Sequence, residues 1–166
     1  MATAQEWVEA LQLRSHPEGG FFRETYRAAG KIARDHLPAG YGGDRNFVTS
    51  IYFLLRSGDF SALHRLRQDE IWHFYDGGTL TISVIDPQGE RSAIRLGRDV
   101  RAGETLQAVV PGGCLFGARV ETPETFALVG CDVAPGFDFA DFEMPARAEL
   151  LKVYPRHREL IEQLTR

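Results

Sequence analysis

Residues 58–78 read GDFSALHRLRQDEIWHFYDGG, and this stretch decides the fold. It carries His64, Glu70 and His73 within one short run of strand-forming residues that has glycine at both ends. Imidazole and carboxylate side chains transfer protons and bind metal ions, so these three residues are candidates for one site. The stretch therefore predicts a small active site on the wall of a β-barrel.

Length and composition limit the class of protein. A chain of 166 residues fits one domain with its own core. The net charge is −4, from 19 basic and 23 acidic residues with neither sign clustered, so we expect no nucleic-acid partner. Cys114 and Cys131 lie in apolar runs without a CxxC pattern. This favours buried thiols in a reducing compartment, with a single disulfide as the alternative.

The terminal and connecting segments have their own patterns. The N-terminus has no signal-peptide pattern and no apolar run is long enough to span a membrane, so we expect a cytoplasmic protein without a membrane partner. A capping box at Thr3 and Glu6 predicts a helix over residues 4–13, and an apolar stripe predicts a second helical flank over 147–165. The glycine-rich residues 28–45 are interpreted as a mobile loop or lid.

Most of the chain between these flanks is predicted to be β-structure. In residues 21–27, Phe22, Glu24 and Tyr26 share one face by strand alternation. Short strands separated by glycine and proline turns indicate a sandwich or barrel. We expect one domain over residues 1–166, with a barrel at about 15–145 and helical flanks at 3–13 and 147–165. The further strands are predicted at 47–56, 60–66, 71–75, 79–85, 92–96, 106–110, 115–121 and 126–131.

The spacing of Gly58, His64, Glu70 and Gly77 is similar to the first motif of the cupin superfamily, and residues 103–113 resemble the second motif. The segments HPEGGFFRETYR, DEIWHFY and VGCDVAPGFDFADFE resemble an uncharacterised family of cupin-like proteins. The resemblance implies an all-β fold with short terminal helices, a double-stranded β-helix or RmlC-like jelly roll that encloses a cavity. It also implies a homodimer, with residues 21–27 and the aromatic and acidic residues 137–143 as candidates for the contact.

The chain departs from the metal-binding pattern of that superfamily. Leu66 and Phe116 stand where metal-binding cupins usually have two further histidines, so we expect no metal and no cofactor. The alternative is a metal-dependent enzyme that uses His64, Glu70 and His73. Strand alternation points Glu70 and His73 to opposite faces unless a bulge intervenes.

The preferred interpretation is metal-independent proton transfer of the isomerase, epimerase or lyase type, with His64, Glu70 and His73 as catalytic candidates. His64 would act as the base. Glu70 would orient the His64 imidazole or have its pKa raised in an apolar cavity. The other histidines, His16, His36 and His157, are expected to be solvated.

Metal-free cupins that epimerise deoxysugars on nucleotide carriers have elements similar to residues 20–24 and 63–64. By this resemblance the ligand is a sugar or a sugar-nucleotide-like metabolite. The alternative is a binding module that holds a small ligand without changing it. The substrate-binding candidates are Arg23, Glu24, Tyr26, Tyr52, Trp72 and Phe116.

Overall fold

The computed structural model describes residues 2–166, and most of its ordered elements are β-strands. The strands of this region are β1 (Arg14–Ser15), β2 (Phe21–Arg27), β3 (Lys31–Ile32), β4 (Arg45–Asn46), β5 (Thr49–Arg56), β6 (Phe60–Arg65), β7 (Asp69–Gly77), β8 (Leu80–Ile85), β9 (Arg91–Leu96), β10 (Gln107–Val110), β11 (Leu115–Val120) and β12 (Phe126–Ala134). The α-helices are α1 (Ala4–Ala10), α2 (Arg147–Val153) and α3 (Arg158–Gln163). Short 3-10 helices lie at Arg34–His36, Val100–Ala102, Phe139–Asp141 and Pro155–His157.

The strands form two main antiparallel sheets. The larger sheet has the order β1-β2-β5-β12-β7-β10, and the smaller has the order β6-β11-β8-β9. Strands β3 and β4 make a separate two-stranded pair. The chain crosses between the main sheets after β5, β6, β7, β9, β10 and β11. Strand β12 lies between β5 and β7, and β11 lies between β6 and β8. The predicted all-β jelly roll with short terminal helices is confirmed.

Each sheet packs one apolar face inward, and helices cover part of each outer face. The central core joins Phe53 and Trp72 of the larger sheet to Ile82 and Phe116 of the smaller one. Helix α1 packs on the outer face of the larger sheet, while α2 and α3 pack on the outer face of the smaller sheet. The helices lie on the outer faces, so the two inner faces enclose the interior of the barrel.

The start of α1 agrees with its predicted cap. The Thr3 hydroxyl accepts the Glu6 backbone N–H at 3.2 Å, and the Glu6 carboxylate accepts the Thr3 backbone N–H at 2.7 Å. The helix ends at Ala10, three residues earlier than residues 4–13 predicted. The second helical flank is likewise divided into α2 and α3 around the Pro155–His157 turn.

Strand β2 contains a bulge that changes which side chains face inward. Glu24 is paired with Ile51, but Tyr26 is paired with Ser50 and Arg27 with Thr49. The extra residue in β2 reverses the alternation, because two residues oppose one on the partner strand. The predicted common face of Phe22, Glu24 and Tyr26 is therefore wrong: Arg27 faces the interior, and Tyr26 is 55% exposed.

The glycine-rich residues 28–45 contain ordered elements. Strands β3 and β4 pair with each other, and a 3-10 helix lies between them. Arg45 then donates two hydrogen bonds to the Asp141 carboxylate, at 2.6 and 2.7 Å. Burial alone would raise the pKa of Asp141, but the hydrogen bonds from Arg45 and Gln68 outweigh it and hold that pKa below its usual value. This ion pair links the stretch to residues 137–143.

Two further expectations concern the helices and the cysteines. Among the described residues, no helix is both long enough and apolar enough to cross a membrane. Cys114 and Cys131 are free and buried, as their apolar surroundings predict. Pairing with a second subunit through residues 21–27 and 137–143 stays a prediction.

The Arg45–Asp141 pair gives a stability prediction. Asp141→Ala should lower the free energy of unfolding by about 2 kcal/mol or more, because it leaves the guanidinium of Arg45 without its carboxylate in a site shielded from water. Glu162→Ala is the control, since Glu162 pairs with Arg158 on an exposed helix surface. That change should cost about 0.5 kcal/mol or less. Urea unfolding of both variants measures the difference, and equal losses would contradict the structural role of the buried pair.

Candidate functional site

A cavity of about 370 Å³ lies within the barrel, a size within the range of small-molecule sites. Five titratable side chains line its buried part, namely His16, Glu18, His64, Glu70 and Cys131. Six aromatic rings surround them, from Phe22, Phe53, Trp72, Phe137, Phe139 and Phe142. Four charged residues that are exposed to solvent also line the cavity, namely Arg14, Glu24, Arg27 and Asp138. The cavity thus combines a mainly apolar wall with a few convergent polar groups.

His64 on β6 has both ring nitrogens engaged. Its Nδ1 lies 2.7 Å from the carbonyl oxygen of Ala62, and since a carbonyl only accepts, Nδ1 carries a hydrogen. Its Nε2 lies 3.2 Å from Oε2 of Glu18. At this distance an imidazole and a carboxylate can hold one proton between them. We call His64 and Glu18 the proton-holding pair.

Glu18 comes from the turn HPEGG between β1 and β2. The backbone N–H of Ala62 donates to the Glu18 carbonyl at 2.8 Å, which fixes the turn against β6. Gly19 has φ of +115°, and a Cβ at that position would collide with the carbonyl oxygen of Phe60. The Ser61 hydroxyl donates to Oε1 of Glu18 at 2.8 Å. Glycine thus allows the close approach that brings the Glu18 carboxyl group to His64.

His16 lies on the other side of Glu18 and is not solvated. Its side chain is 8% exposed, and its Nδ1 accepts the Glu18 backbone N–H at 3.3 Å. The ring packs edge-on against Phe22, with 4.5 Å between ring centroids. Burial lowers the pKa of His16 and the charge of Glu18 opposes that shift. The expectation of a solvated His16 is wrong, because the turn folds back into the barrel.

Glu70 on β7 is the buried acid of the cavity. Burial, together with the nearby charge of Glu18, raises the pKa of Glu70 from about 4.5 to about 8. The indole N–H of Trp72 donates to Oε2 of Glu70 at 3.2 Å, which favours the charged form but is outweighed. Burial, and then the charge of Glu70, raises the pKa of the Cys131 thiol well above its usual value. At neutral pH, Glu70 is therefore a protonated carboxylic acid.

Four of the predicted site residues line the cavity: His64, Glu70, Trp72 and Glu24. Their partners differ from the prediction, since His64 contacts Glu18 and Glu70 bonds to Trp72. Phe116 is buried behind the wall, with its ring centroid 4.1 Å from that of His64, so it supports the imidazole without lining the cavity. The raised pKa expected for Glu70 agrees with its burial.

The other predicted site residues face the outside of the larger sheet. His73 bonds through Nε2 to Asp132 at 3.0 Å, because it follows the inward-facing Trp72 by one residue. Arg23 and Tyr52 are register partners on β2 and β5, and the guanidinium of Arg23 lies 5.8 Å from the Tyr52 ring. The structure therefore does not bring His73, Arg23, Tyr26 or Tyr52 into the cavity.

Comparisons with known proteins are consistent with this geometry. The sequence profile of a family described as "Cupin superfamily (DUF985)" matches residues 5–145. A protein of Saccharomyces cerevisiae, the uncharacterized protein YML079W, is 30% identical over 148 residues, which are 84% of this chain and 74% of the yeast protein.

Solved structures give the same fold. Protein SO0799 from Shewanella oneidensis superposes with a TM-score of 0.90 at 43% identity, over 100% of this chain and 99% of that chain. A hypothetical protein from Leishmania major has a TM-score of 0.90 at 38% identity, over 99% of each chain. Oxalate decarboxylase from Bacillus subtilis has a TM-score of 0.55 at 18% identity, over 92% of this chain and 37% of that chain, and shares the fold alone.

The cavity residues do not fit a metal ion. The Bacillus subtilis oxalate decarboxylase has Mn(II) centres, but here two of the positions expected for ligands are the buried, apolar Leu66 and Phe116. Among residues 2–166, no group of three or more His, Cys, Asp and Glu side chains is arranged to hold a metal ion. The alternative ligand set of His64, Glu70 and His73 is not assembled, because His73 lies on the opposite face of β7.

The raised pKa of Glu70 predicts a pH dependence of stability. The folded state keeps a proton on Glu70 up to about pH 8, whereas the unfolded chain releases it near pH 4.5. This contribution to stability is fully present below about pH 4.5 and is lost as the pH rises through the window to about 8. Glu70→Gln should remove this loss, which amounts to several kcal/mol since one pKa unit corresponds to about 1.4 kcal/mol.

Chemical unfolding between pH 4 and 9 measures this effect. The native chain should lose stability more steeply with rising pH than Glu70→Gln does. Glu149→Gln, a change at an exposed residue of α2, is the control and should follow the native curve. Parallel curves for the native chain and Glu70→Gln would contradict the buried, protonated state of Glu70.

Proposed function

The chain belongs to the DUF985 family of the cupin superfamily, and from this premise we propose that its cavity binds a small carbonyl-bearing metabolite and transfers protons on it. One observation carries the proposal. The protonated Glu70 and the proton-holding pair of His64 and Glu18 line the same cavity. Two acid–base groups whose environments push their protonation states apart are the usual basis for assigning an acid and a base.

The proposed step is the enolisation of a carbonyl compound. Nε2 of His64 accepts a proton from the carbon next to the carbonyl group, so that the C–H electron pair becomes the new C=C bond, and the neighbouring Glu18 carboxylate balances the imidazolium that forms. Glu70 donates its proton to the carbonyl oxygen, which accepts the displaced π electrons. The cavity gains one positive charge at the pair and one negative charge at Glu70, and its net charge is unchanged. Isomerases, epimerases and lyases share this step.

The residues around Glu70 and the proton-holding pair support the use of these groups as an acid and a base. Phe142 stacks on the His64 ring with 5.3 Å between centroids, and the Phe116 ring centroid lies 4.1 Å from that of His64, so the imidazole is held in place. The Ser61 hydroxyl fixes the second oxygen of Glu18. An apolar surrounding keeps Glu70 protonated and strengthens its hydrogen bond to a developing oxyanion. The same surrounding supports the preferred ligand class, a sugar or a sugar-nucleotide-like metabolite, whose ring faces pack on aromatic side chains.

The first experiment measures exchange with solvent. A panel of sugars, sugar phosphates and nucleotide sugars is incubated with the protein in deuterated water, and ¹H NMR follows the C–H signal next to the carbonyl group. Solvent deuterium should enter that position. Glu70→Gln, Glu18→Gln and His64→Ala should each slow the exchange by about 100-fold or more, as expected for loss of a general acid or base.

His36→Gln is the matched control, because His36 is an exposed histidine outside the cavity. Loss of exchange in His73→Ala would instead place the chemistry on the outer face of the larger sheet. A compound that binds to the native chain but shows no exchange would favour the binding module, and proton transfer would then be rejected.

The second experiment is a pH profile with any compound that exchanges. Because the acid form of Glu70 is lost above about pH 8, kcat/KM should fall above that pH. In Glu70→Gln this fall should disappear along with most of the activity. An alkaline limb that persists unchanged in Glu70→Gln would show that a different group donates the proton.

A further inference from the structure

Arg14 lies at the edge of the larger sheet, with its side chain directed to the cavity. It belongs to β1, the terminal strand of that sheet, and its register partner on β2 is Phe22. Paired residues of an antiparallel sheet share a face, and Phe22 lines the cavity, so Arg14 faces it too. Arg14 is exposed to solvent, whereas Glu18 and Glu70 are buried. It therefore marks the solvent end of the cavity.

The guanidinium of Arg14 packs on the Phe22 ring, but no carboxylate pairs with it among the described residues. Its central carbon lies 5.0 Å from the centroid of the Phe22 ring, a cation–π contact that leaves the N–H groups directed elsewhere. Within residues 2–166 the structure gives this side chain no hydrogen bond and no ion pair. The other arginine of the cavity, Arg27, differs, since it donates to the Glu24 carboxylate, to Asn46 and to the Phe137 carbonyl. Arg14 is thus the arginine of the cavity whose donors are available to a ligand.

The charges around the cavity fit an anion at this end. Arg27 forms an ion pair with Glu24 at 2.7 Å and also lies near the other exposed carboxylate of the lining, Asp138, which raises the pKa of Arg27 further. Deeper in the cavity, burial raises the pKa of Glu70 to about 8, and the Glu18 carboxyl group lies 3.2 Å from the His64 imidazole. Arg14 is therefore the group at the solvent end that attracts a negatively charged ligand.

We propose that Arg14 binds an anionic group of the ligand, a phosphate or a carboxylate, at the solvent end of the cavity. The planar guanidinium offers two parallel N–H donors to such a group. The proposal rests on the proposed function and names its substrate class, a carbonyl compound that carries a phosphate or carboxylate away from the reacting carbon. Sugar phosphates with an aldehyde or ketone group, nucleotide-linked ketosugars and keto sugar acids belong to this class.

A different role for Arg14 would follow from its place in the sheet. Charged residues that point inward on an edge strand hinder edge-to-edge association of sheets. On that account, loss of Arg14 would promote self-association and leave anion binding unchanged. The experiment below separates the two roles.

The test uses the full chain labelled with ¹⁵N-arginine and two probes, inorganic phosphate and acetate. The Nε–H signal of Arg14 is identified by its absence from the spectrum of Arg14→Gln. Titration of the native chain should shift this signal saturably with one or both probes. A shift with phosphate alone indicates a phosphorylated substrate, and a shift with acetate alone indicates a carboxylate.

The variants decide which residue binds the probe. Isothermal titration of Arg14→Gln should give a phosphate or acetate Kd raised by about tenfold or more, as expected for loss of hydrogen bonds to a charged group. Arg14→Lys keeps the charge without the planar donors, so its Kd for the probe should lie between those of the native chain and Arg14→Gln. Arg91→Gln is the matched control, because Arg91 is an exposed arginine on the edge strand β9.

Three results would overturn the proposal. These are a signal of Arg14 that neither probe shifts, equal affinities for the native chain and Arg14→Gln, or self-association of Arg14→Gln with unchanged anion affinity. Glu70→Gln should keep its anion affinity although it loses deuterium exchange. Anion binding without exchange would therefore reject the proposed function alone, and exchange without anion binding would reject the role of Arg14 alone.

Discussion

Two buried carboxyl groups, those of Glu18 and Glu70, share one mainly apolar cavity. Two negative charges close together and away from water are unfavourable, so the rest of the site depends on which group keeps its proton. Glu18 has compensating partners, with Nε2 of His64 at 3.2 Å and the Ser61 hydroxyl at 2.8 Å. Glu70 has the Trp72 N–H and the Cys131 thiol as partners, but burial and the charge of Glu18 outweigh both and raise its pKa to about 8. Two carboxyl groups in one cavity thereby have different environments, which is the usual basis for assigning an acid and a base.

This difference in protonation depends on burial, and the jelly roll buries both Glu18 and Glu70. Leu66 and Phe116 occupy positions where the metal-binding pattern has histidines, and both are buried in the apolar core. Their side chains supply no metal ligand and belong to the apolar core that surrounds the cavity. Burial is the largest cause of the raised pKa of Glu70.

The fold could be predicted from the sequence, but only part of the site could. Strand alternation and glycine turns predicted the barrel, and the parity of β7 already separated Glu70 from His73. Two features of the site could not be predicted from strand alternation or from the glycine turns. The bulge in β2, which replaces Tyr26 by Arg27 on the inner face, has no signature in FFRETYR. Glu18 lies in a turn, where side-chain direction depends on tertiary contacts with β6 instead of a local period. The glycines after Glu18 were the available signal, since they mark a close backbone approach.

The central claim is that Glu70 is a neutral acid at physiological pH, and its own titration tests it most directly. Side-chain carboxyl carbons are labelled with ¹³C-glutamate, and the Glu70 resonance is identified by its absence in Glu70→Gln. Its chemical shift is then followed from pH 3 to pH 10. The account predicts a midpoint at about 8. A midpoint near the ordinary value of about 4.5 would show that Glu70 is ionised at neutral pH and would contradict the account.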